Sequence, residues 1–306
     1  MQTRISSDTQ HSLPAVALET AVALIFWGSV PVVIRHVGAN PFSIGIFRLF
    51  FATLLIRILF VRRAELQQLS RRDWLGLAVI GACFGVHWGL YFFSIKLASA
   101  SIGAIGLASY GAFLILLSAI VERTRLGVID VLALALCIGG SLMLVPEFST
   151  KNNVSFGLLL GVASAFLFAC LPVFHRQFRH IASGVRAAAQ FGFALPLFLL
   201  GWPLADFATL STSDWWWLCY LTIFCTVIGH GLWIRVTTVL RPTTTSTIYY
   251  VYLPVSLTFS HIFLGETIDL KMLFGAALIA GGSILGIRNQ RISAAARSPD
   301  STAPSK

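Results

Sequence analysis

One arginine, two histidines and several tyrosines sit inside stretches that are otherwise made of oil. Arg48 lies in GIFRLFFA, His87 in GVHWGLYFF, His230 in VIGHGLW, and Tyr249, Tyr252 and Ser256 in IYYVYLPVSL. A guanidinium among apolar residues has two uses. It can recognise a carboxylate through charge-assisted hydrogen bonds, or it can brace a helix bundle by bonding backbone carbonyls. An imidazole in the same setting can relay a proton or hydrogen-bond a solute, or sit neutral on a carbonyl. Tyrosine offers an apolar ring with a polar tip, which suits a pocket for amphipathic molecules. Ser109 and Tyr110 in SYGAFLILL, and Tyr91, Trp88 and Trp27, are further candidates for such a pocket, each also readable as packing.

Spacing gives these residues a direction. Gly81, Gly85 and Gly89 recur every fourth residue and form a smooth ridge for close helix contact. Cys83, His87 and Tyr91 fall on the opposite side of that helix, so this side is expected to face a central cavity. Tyr249, Tyr252 and Ser256 share one side of theirs. No Asp or Glu lies deep in an apolar run, and there is no HExxH helix and no P-loop. No metal, no cofactor and no ATP hydrolysis by this chain is therefore implied. Proton coupling, if any, falls to His87 or His230. An intramembrane enzyme or a membrane receptor or scaffold is the competing function class, distinguished by turnover or by binding without flux.

The elements that carry these residues must be membrane helices. The chain has 306 residues, 57% hydrophobic and 11% charged, with a mean hydropathy of +0.82. Soluble domains run near 25% charged. The apolar runs are about 20 residues long, the length needed to cross ~30 Å of hydrocarbon. Spans are predicted at 15–36, 42–61, 74–95, 101–121, 127–146, 155–175, 185–204, 215–236, 243–264 and 271–288, with polar tails at 1–14 and 289–306 expected to be disordered. The net charge of +10 sits at the ends of apolar runs rather than on one polar face, which argues against nucleic acid. The bilayer is the partner. With the N-terminus inside, sixteen Lys and Arg fall on the cytoplasmic side and four on the other, and Arg48 and Arg57 lie within a span. This bias predicts both termini cytoplasmic, in a cell (inner) membrane. Trp215, Trp216 and Trp217 read as an interfacial anchor.

The chain also repeats itself. DWLGLAVIGACFGVHWGL from Asp73 is echoed by DWWWLCYLTIFCTVIGHGLW from Asp214, CIGGSLML by IAGGSILG, and Pro31 by Pro172. Five spans per half, at 15–147 and 155–288, invert the second half against the first. The fold class expected is an all-α membrane protein with ten transmembrane helices as two inverted five-helix repeats. That architecture belongs to alternating-access transporters with a site near the midplane. Glu122 and Glu266, at corresponding span ends, are expected to cap the spans that follow them.

WGS in the first span, FRLFFA in the second, the Ser/Ala-rich start SASIGAIG of the fourth and the Glu-then-helix close of each half, Glu122 in VERTRLG and Glu266 in GETIDLK, together resemble the EamA group of the drug/metabolite transporter superfamily. The resemblance covers about 15–288. It implies two inverted five-helix halves and the export of small metabolites such as amino acids. It also implies an arginine at position 48 across many substrates, which favours the bracing use of Arg48. The family's fourth and ninth spans commonly carry a mid-helix proline. Pro254 fills that place, but Tyr110 stands there in the first half, which leaves a proline hinge in the second half only. The function expected is a secondary transporter of a small-molecule substrate. Substrate identity, coupling ion, transport direction and oligomeric state are not legible.

Overall fold

The computed structural model describes residues 13–121, 127–143, 153–239, 249 and 251–296. Among these every regular element is a helix. Six helical segments are long and apolar enough to cross a membrane: Leu18–His36, Pro41–Phe60, Arg71–Leu97, Ala100–Val121, Asn153–Gln177 and Thr212–Thr237. A seventh candidate, Ser183–Leu199 with Trp202–Thr209, bends by 68° just after Pro196. In chain order the helices are α1 (Leu13–His36), α2 (Pro41–Phe60), α3 (Arg63–Gln67), α4 (Arg71–Leu97), α5 (Ala100–Ala108), α6 (Tyr110–Val121), α7 (Val128–Met143), α8 (Asn153–Gln177), α9 (Ser183–Leu199), α10 (Thr212–Tyr220), a π-helical stretch Leu221–His230, α11 (Gly231–Val239), α12 (Tyr252–Leu264) and α13 (Leu270–Ala296). The tail residues 1–12 and 297–306, and Glu122, lie outside the described residues.

Local chemistry sets the helix ends. The side chain of Asn40 accepts from the amides of Phe42 and Ser43, both at 3.0 Å, and Pro41 follows as the first residue of α2, a position where its missing N–H costs nothing. Ser70 and Ser211 open α4 and α10 with capping boxes closed by Asp73 and Asp214. Glu266 departs from the expected pattern. Its two carboxylate oxygens accept from Ala100 and Ser101, each at 2.9 Å, so it caps α5 in the first half. The helix that follows it, α13, is capped by Asp269 through Met272 at 2.7 Å. A carboxylate on a flexible loop goes to the nearest unsatisfied amides, and here these belong to another part of the chain.

The spans with and without the proline both carry a local break. The fourth predicted span is interrupted at Ser109, between α5 and α6, with no proline present. Ser109 N bonds to Gly106 O at 3.2 Å in a tight turn. Further along, Val251 is a turn residue immediately before α12.

Packing follows the small residues. Gly81 and Gly85 of α4 lie against α9, where a β-carbon would come within 3.0 Å of Gln190 O and 3.3 Å of Ala194 respectively, whereas Gly89 has open space. α5 meets α8 at a glycine pair: a β-carbon on Gly106 would lie 2.9 Å from the Gly161 Cα. α2 packs on α9, α7 on α13, α1 on α12, and α5 on α8. Many large apolar side chains stay on the outside, for instance Ile58, Leu75, Phe263 and Leu270, as expected where the solvent is lipid.

Candidate functional site

Four segments, α1, α2, α4 and the π-helical stretch, converge on Arg48. The guanidinium is 1% exposed. Its Nε and Nη2 donate to the Thr226 hydroxyl at 3.1 and 2.9 Å. Its carbon lies 4.0 Å from the centroid of the Trp88 ring and 5.3 Å from that of Phe92, contacts worth roughly 2 kcal/mol where water is excluded. Nη1 has no hydrogen-bond partner among the described residues. Among the described residues Arg48 bonds no helix carbonyl, and no carboxylate reaches it.

The π-helix explains how Thr226 gets there. The Thr226 hydroxyl donates to Leu221 O, five residues back, at 2.8 Å. The wider turn brings it toward α2. Short π segments recur at functional sites for this kind of reason. Next to it, Cys225 O accepts from Trp27 Nε1 at 3.1 Å. Gly229 makes room for that indole, since a β-carbon there would sit 2.8 Å from Trp27 Nε1.

His87 points where its helix phase sends it. Nδ1 lies 3.0 Å from Ser164 O and 2.7 Å from Ser164 Oγ, while that hydroxyl donates to His87 O at 3.0 Å. A carbonyl can only accept, so these contacts assign the proton of a neutral imidazole to Nδ1 and leave Nε2 the acceptor. The ring stacks on Phe168 with centroids 4.9 Å apart. His230 packs against Trp27 at 4.5 Å, Phe84 at 5.2 Å and Trp88 at 5.5 Å. The Tyr91 and Tyr252 hydroxyls hydrogen-bond to each other, and Tyr249 stacks on Tyr252 at 5.2 Å.

Of the eleven residues singled out in the sequence, eight line one cavity: Trp27, Arg48, His87, Trp88, Tyr91, His230, Tyr249 and Tyr252. Three do not. Tyr110 is fully buried behind Tyr249 and Phe168, each 4.8 Å away between ring centroids. Ser109 sits at the break between α5 and α6. Ser256 is buried one turn beyond Tyr252, where α12 meets Gly28 of α1. The sequence reading passed over Val30, Phe92, Leu107 and Phe168, which complete the wall, and the polar partners Thr226 and Ser164. The walls are apolar residues inside apolar runs, so no local signal marks them.

The cavity is narrow, about 30 Å³, room for about two waters at ~15 Å³ of water-centre volume each. Two wider pockets lie elsewhere. One of about 310 Å³ lies between Ser29, Val32, Val33, Tyr220, Phe259 and Phe263, and one of about 610 Å³ lies between α12 and α13. Neither is lined by a buried cation, whereas the narrow cavity is. A separate buried polar knot, with His175 Nε2 and Gln190 Oε1 2.6 Å apart and Arg186 donating to His175 O at 2.9 Å, ties α8 to α9 away from it.

Residues 16–145 and 155–288 each match the EamA-like transporter family. The chain belongs to the EamA-like transporter family. It is accordingly a multi-pass membrane protein of a transporter family, and the resemblance carried by WGS and FRLFFA holds. Two relatives fit this. A "Probable amino-acid metabolite efflux pump" of Salmonella typhimurium is 25% identical over 211 residues, covering 65% of this chain and 71% of its own. An "Uncharacterized transporter" of Archaeoglobus fulgidus is 26% identical over 293 residues, covering 88% and 96%. A solved structure named "Crystal structure of protein" superposes with a TM-score of 0.68 at 19% identity, covering 92% of this chain and 99% of its own, a likeness of fold.

Proposed function

We propose that this EamA-like protein is a secondary transporter that exports a small amphipathic metabolite by alternating access. The observation that carries the reading is the composition of the cavity. Its walls come from both halves of the repeat, α1, α2, α4 and α5 on one side and α8, the π-helix end, Tyr249 and α12 on the other. A site shared between two halves changes its access when the halves rock. The proposed architecture is ten spans in two inverted five-helix halves, 15–147 and 155–288, with both termini cytoplasmic in the inner membrane. Helix partners support it: α1 packs on α12 as α8 packs on α5 and α6, and α2 on α9 as α7 on α13. With room for about two waters, the described state is the closed one, and a metabolite requires the halves to part.

The name of the Salmonella relative supports export, and its mention of amino-acid metabolites supports a carboxylate-bearing solute. The test is flux. Liposomes containing the purified protein are expected to release a member of a broad metabolite panel with saturable kinetics, and Trp27→Ala or Tyr252→Ala to lower that flux at unchanged protein yield. Monodisperse protein that moved no solute from the panel would remove the reading.

A further inference from the structure

The cavity is lopsided in charge. It holds one guanidinium and two imidazoles, and no carboxylate lines it. This holds for the whole sequence. All twelve acidic residues fall in tails, in loops or in the first two turns of the predicted spans. Glu19, the one on the same helix as Trp27, lies eight residues away, about 12 Å by helical rise, and is held by Arg235. Arg48 therefore stands buried with two donors on a neutral hydroxyl, one donor unpartnered among the described residues, and aromatic faces around it.

Resting on the transporter reading above, we infer that the solute is an organic monoanion, a carboxylate on an aromatic or apolar body with no ammonium group beside it, and that it crosses as a net negative charge. The aromatic faces and the Thr226 hydroxyl leave the charge of a buried guanidinium uncancelled, and a partner that cancels it and fills the remaining donors removes that cost. A monoanion does both through Nη1 and leaves the closed site neutral. A zwitterion cancels the guanidinium with one end and brings a new cation with the other. For that ammonium the cavity offers only phenol oxygens, imidazole nitrogens and ring faces, no anion. The aromatic lining of Trp27, Trp88, Phe168, Tyr249 and Tyr252 suits the solute's body rather than a hydrated inorganic ion.

The same charge supplies a driving force. An inside-negative membrane pushes an anion outward, by ~2.3 kcal/mol per elementary charge at 100 mV. At 1.4 kcal/mol per decade that is roughly a fiftyfold outward gradient. An exporter of monoanions needs no coupling ion, which agrees with a membrane interior free of acidic residues.

The experiment compares three solutes that differ only in charged groups: 3-phenylpropanoate, phenylalanine and phenethylamine. Each is loaded into liposomes carrying the full-length protein, with protein-free liposomes subtracted, and a potassium gradient with valinomycin sets the potential. Phenylpropanoate is expected to leave at least roughly tenfold faster than phenylalanine, the discrimination that 1.4 kcal/mol provides. Its efflux should rise when the interior is negative and fall when it is positive. Arg48→Lys should retain the preference and Arg48→Gln lose it. Phenylalanine leaving as fast as phenylpropanoate, or an efflux blind to potential, overturns this inference and leaves the exporter reading standing. Halide flux alone also overturns it. No flux of any solute from monodisperse protein ends both. If Arg48→Gln does not fold, the three-solute comparison and its voltage dependence on the unaltered protein decide alone.

Discussion

Asp214 repeats Asp73 atom for atom, 141 positions later. In each box the aspartate Oδ2 accepts from the serine amide at 2.9 Å and the serine hydroxyl at 2.7 Å, and the serine hydroxyl accepts from the aspartate amide at 3.2 Å. In each, Oδ1 is left over and reaches into the other half. Asp73 Oδ1 meets His180 Nε2 at 2.9 Å, and Asp214 Oδ1 accepts from Gly38 N at 2.8 Å. His180 and Gly38 are themselves 142 positions apart. The two contacts are one clasp used twice, once with an imidazole and once with a backbone amide.

If the halves are inverted, one clasp lies on each side of the membrane, and the two should act in opposition. Asp73→Ala is expected to raise labelling of single cysteines placed near the cytoplasmic end of the cavity and lower it at the outer end, and Asp214→Ala to do the reverse. Membrane-impermeant maleimide, applied from each side, measures this. Parallel shifts in the two variants would contradict opposed clasps.

Thr226 is the test of the π-helix. Its hydroxyl takes two bonds from a charged guanidinium and gives one to Leu221 O. Thr226→Val keeps the shape and removes all three. Hydrogen bonds to a charged group contribute about 1.5–3 kcal/mol each, and partial rearrangement of Arg48 reduces the loss. A destabilisation on the order of 2 kcal/mol is expected, read as a lower unfolding temperature in detergent, with Thr226→Ser close to the unaltered protein.

How far the sequence reached follows from the kind of signal each residue gives. Arg48 and His87 are conspicuous because a polar group in an apolar run needs a reason, and helical phase then gave His87 a direction. Tyr249 and Tyr252 followed from the same argument. Phe168 did not, because one phenylalanine in LLLGVASAFLFACLP carries no mark of what it faces. Thr226 was hidden for a different reason: a π turn shifts the register, so α-helical phase assigns the residue to the wrong side. Glu266 was read as a local cap because sequence distance was the only distance at hand, while the amides it reaches are 165 and 166 positions away.

The Gly106 and Gly161 contact sets how closely α5 approaches α8. A β-carbon at Gly161 would lie 3.1 Å from Ser94 Oγ and 3.2 Å from Gly106 Cα, a tight fit that a small shift can absorb. At Gly106 the obstacle is backbone at 2.9 Å, which cannot rotate away. Gly161→Ala should therefore cost less than Gly106→Ala, with about 1–3 kcal/mol expected for the latter. Gly106→Leu should fail to give monodisperse protein. Fluorescence-detected gel filtration over a temperature series ranks the three, and equal losses at both glycines would show that the helices can separate freely.

The Tyr91 and Tyr252 pair closes the cavity between α4 and α12, joining the two proposed halves through their hydroxyls. Both rings are almost fully buried, so a hydroxyl that loses its partner has at most the narrow cavity to turn to. Tyr91→Phe and Tyr252→Phe should each cost about 1–2 kcal/mol, and the double variant about as much as one alone, because the second substitution removes a group already orphaned. If the proposed halves part in each cycle, the protein would also spend less time closed without this bond. Each single variant is therefore expected to raise the accessibility of a cysteine placed at Leu107 in the cavity wall, even as it lowers thermal stability. Additive losses of stability in the double variant would mean that the two hydroxyls act independently, and the closure they are held to provide would fail with them.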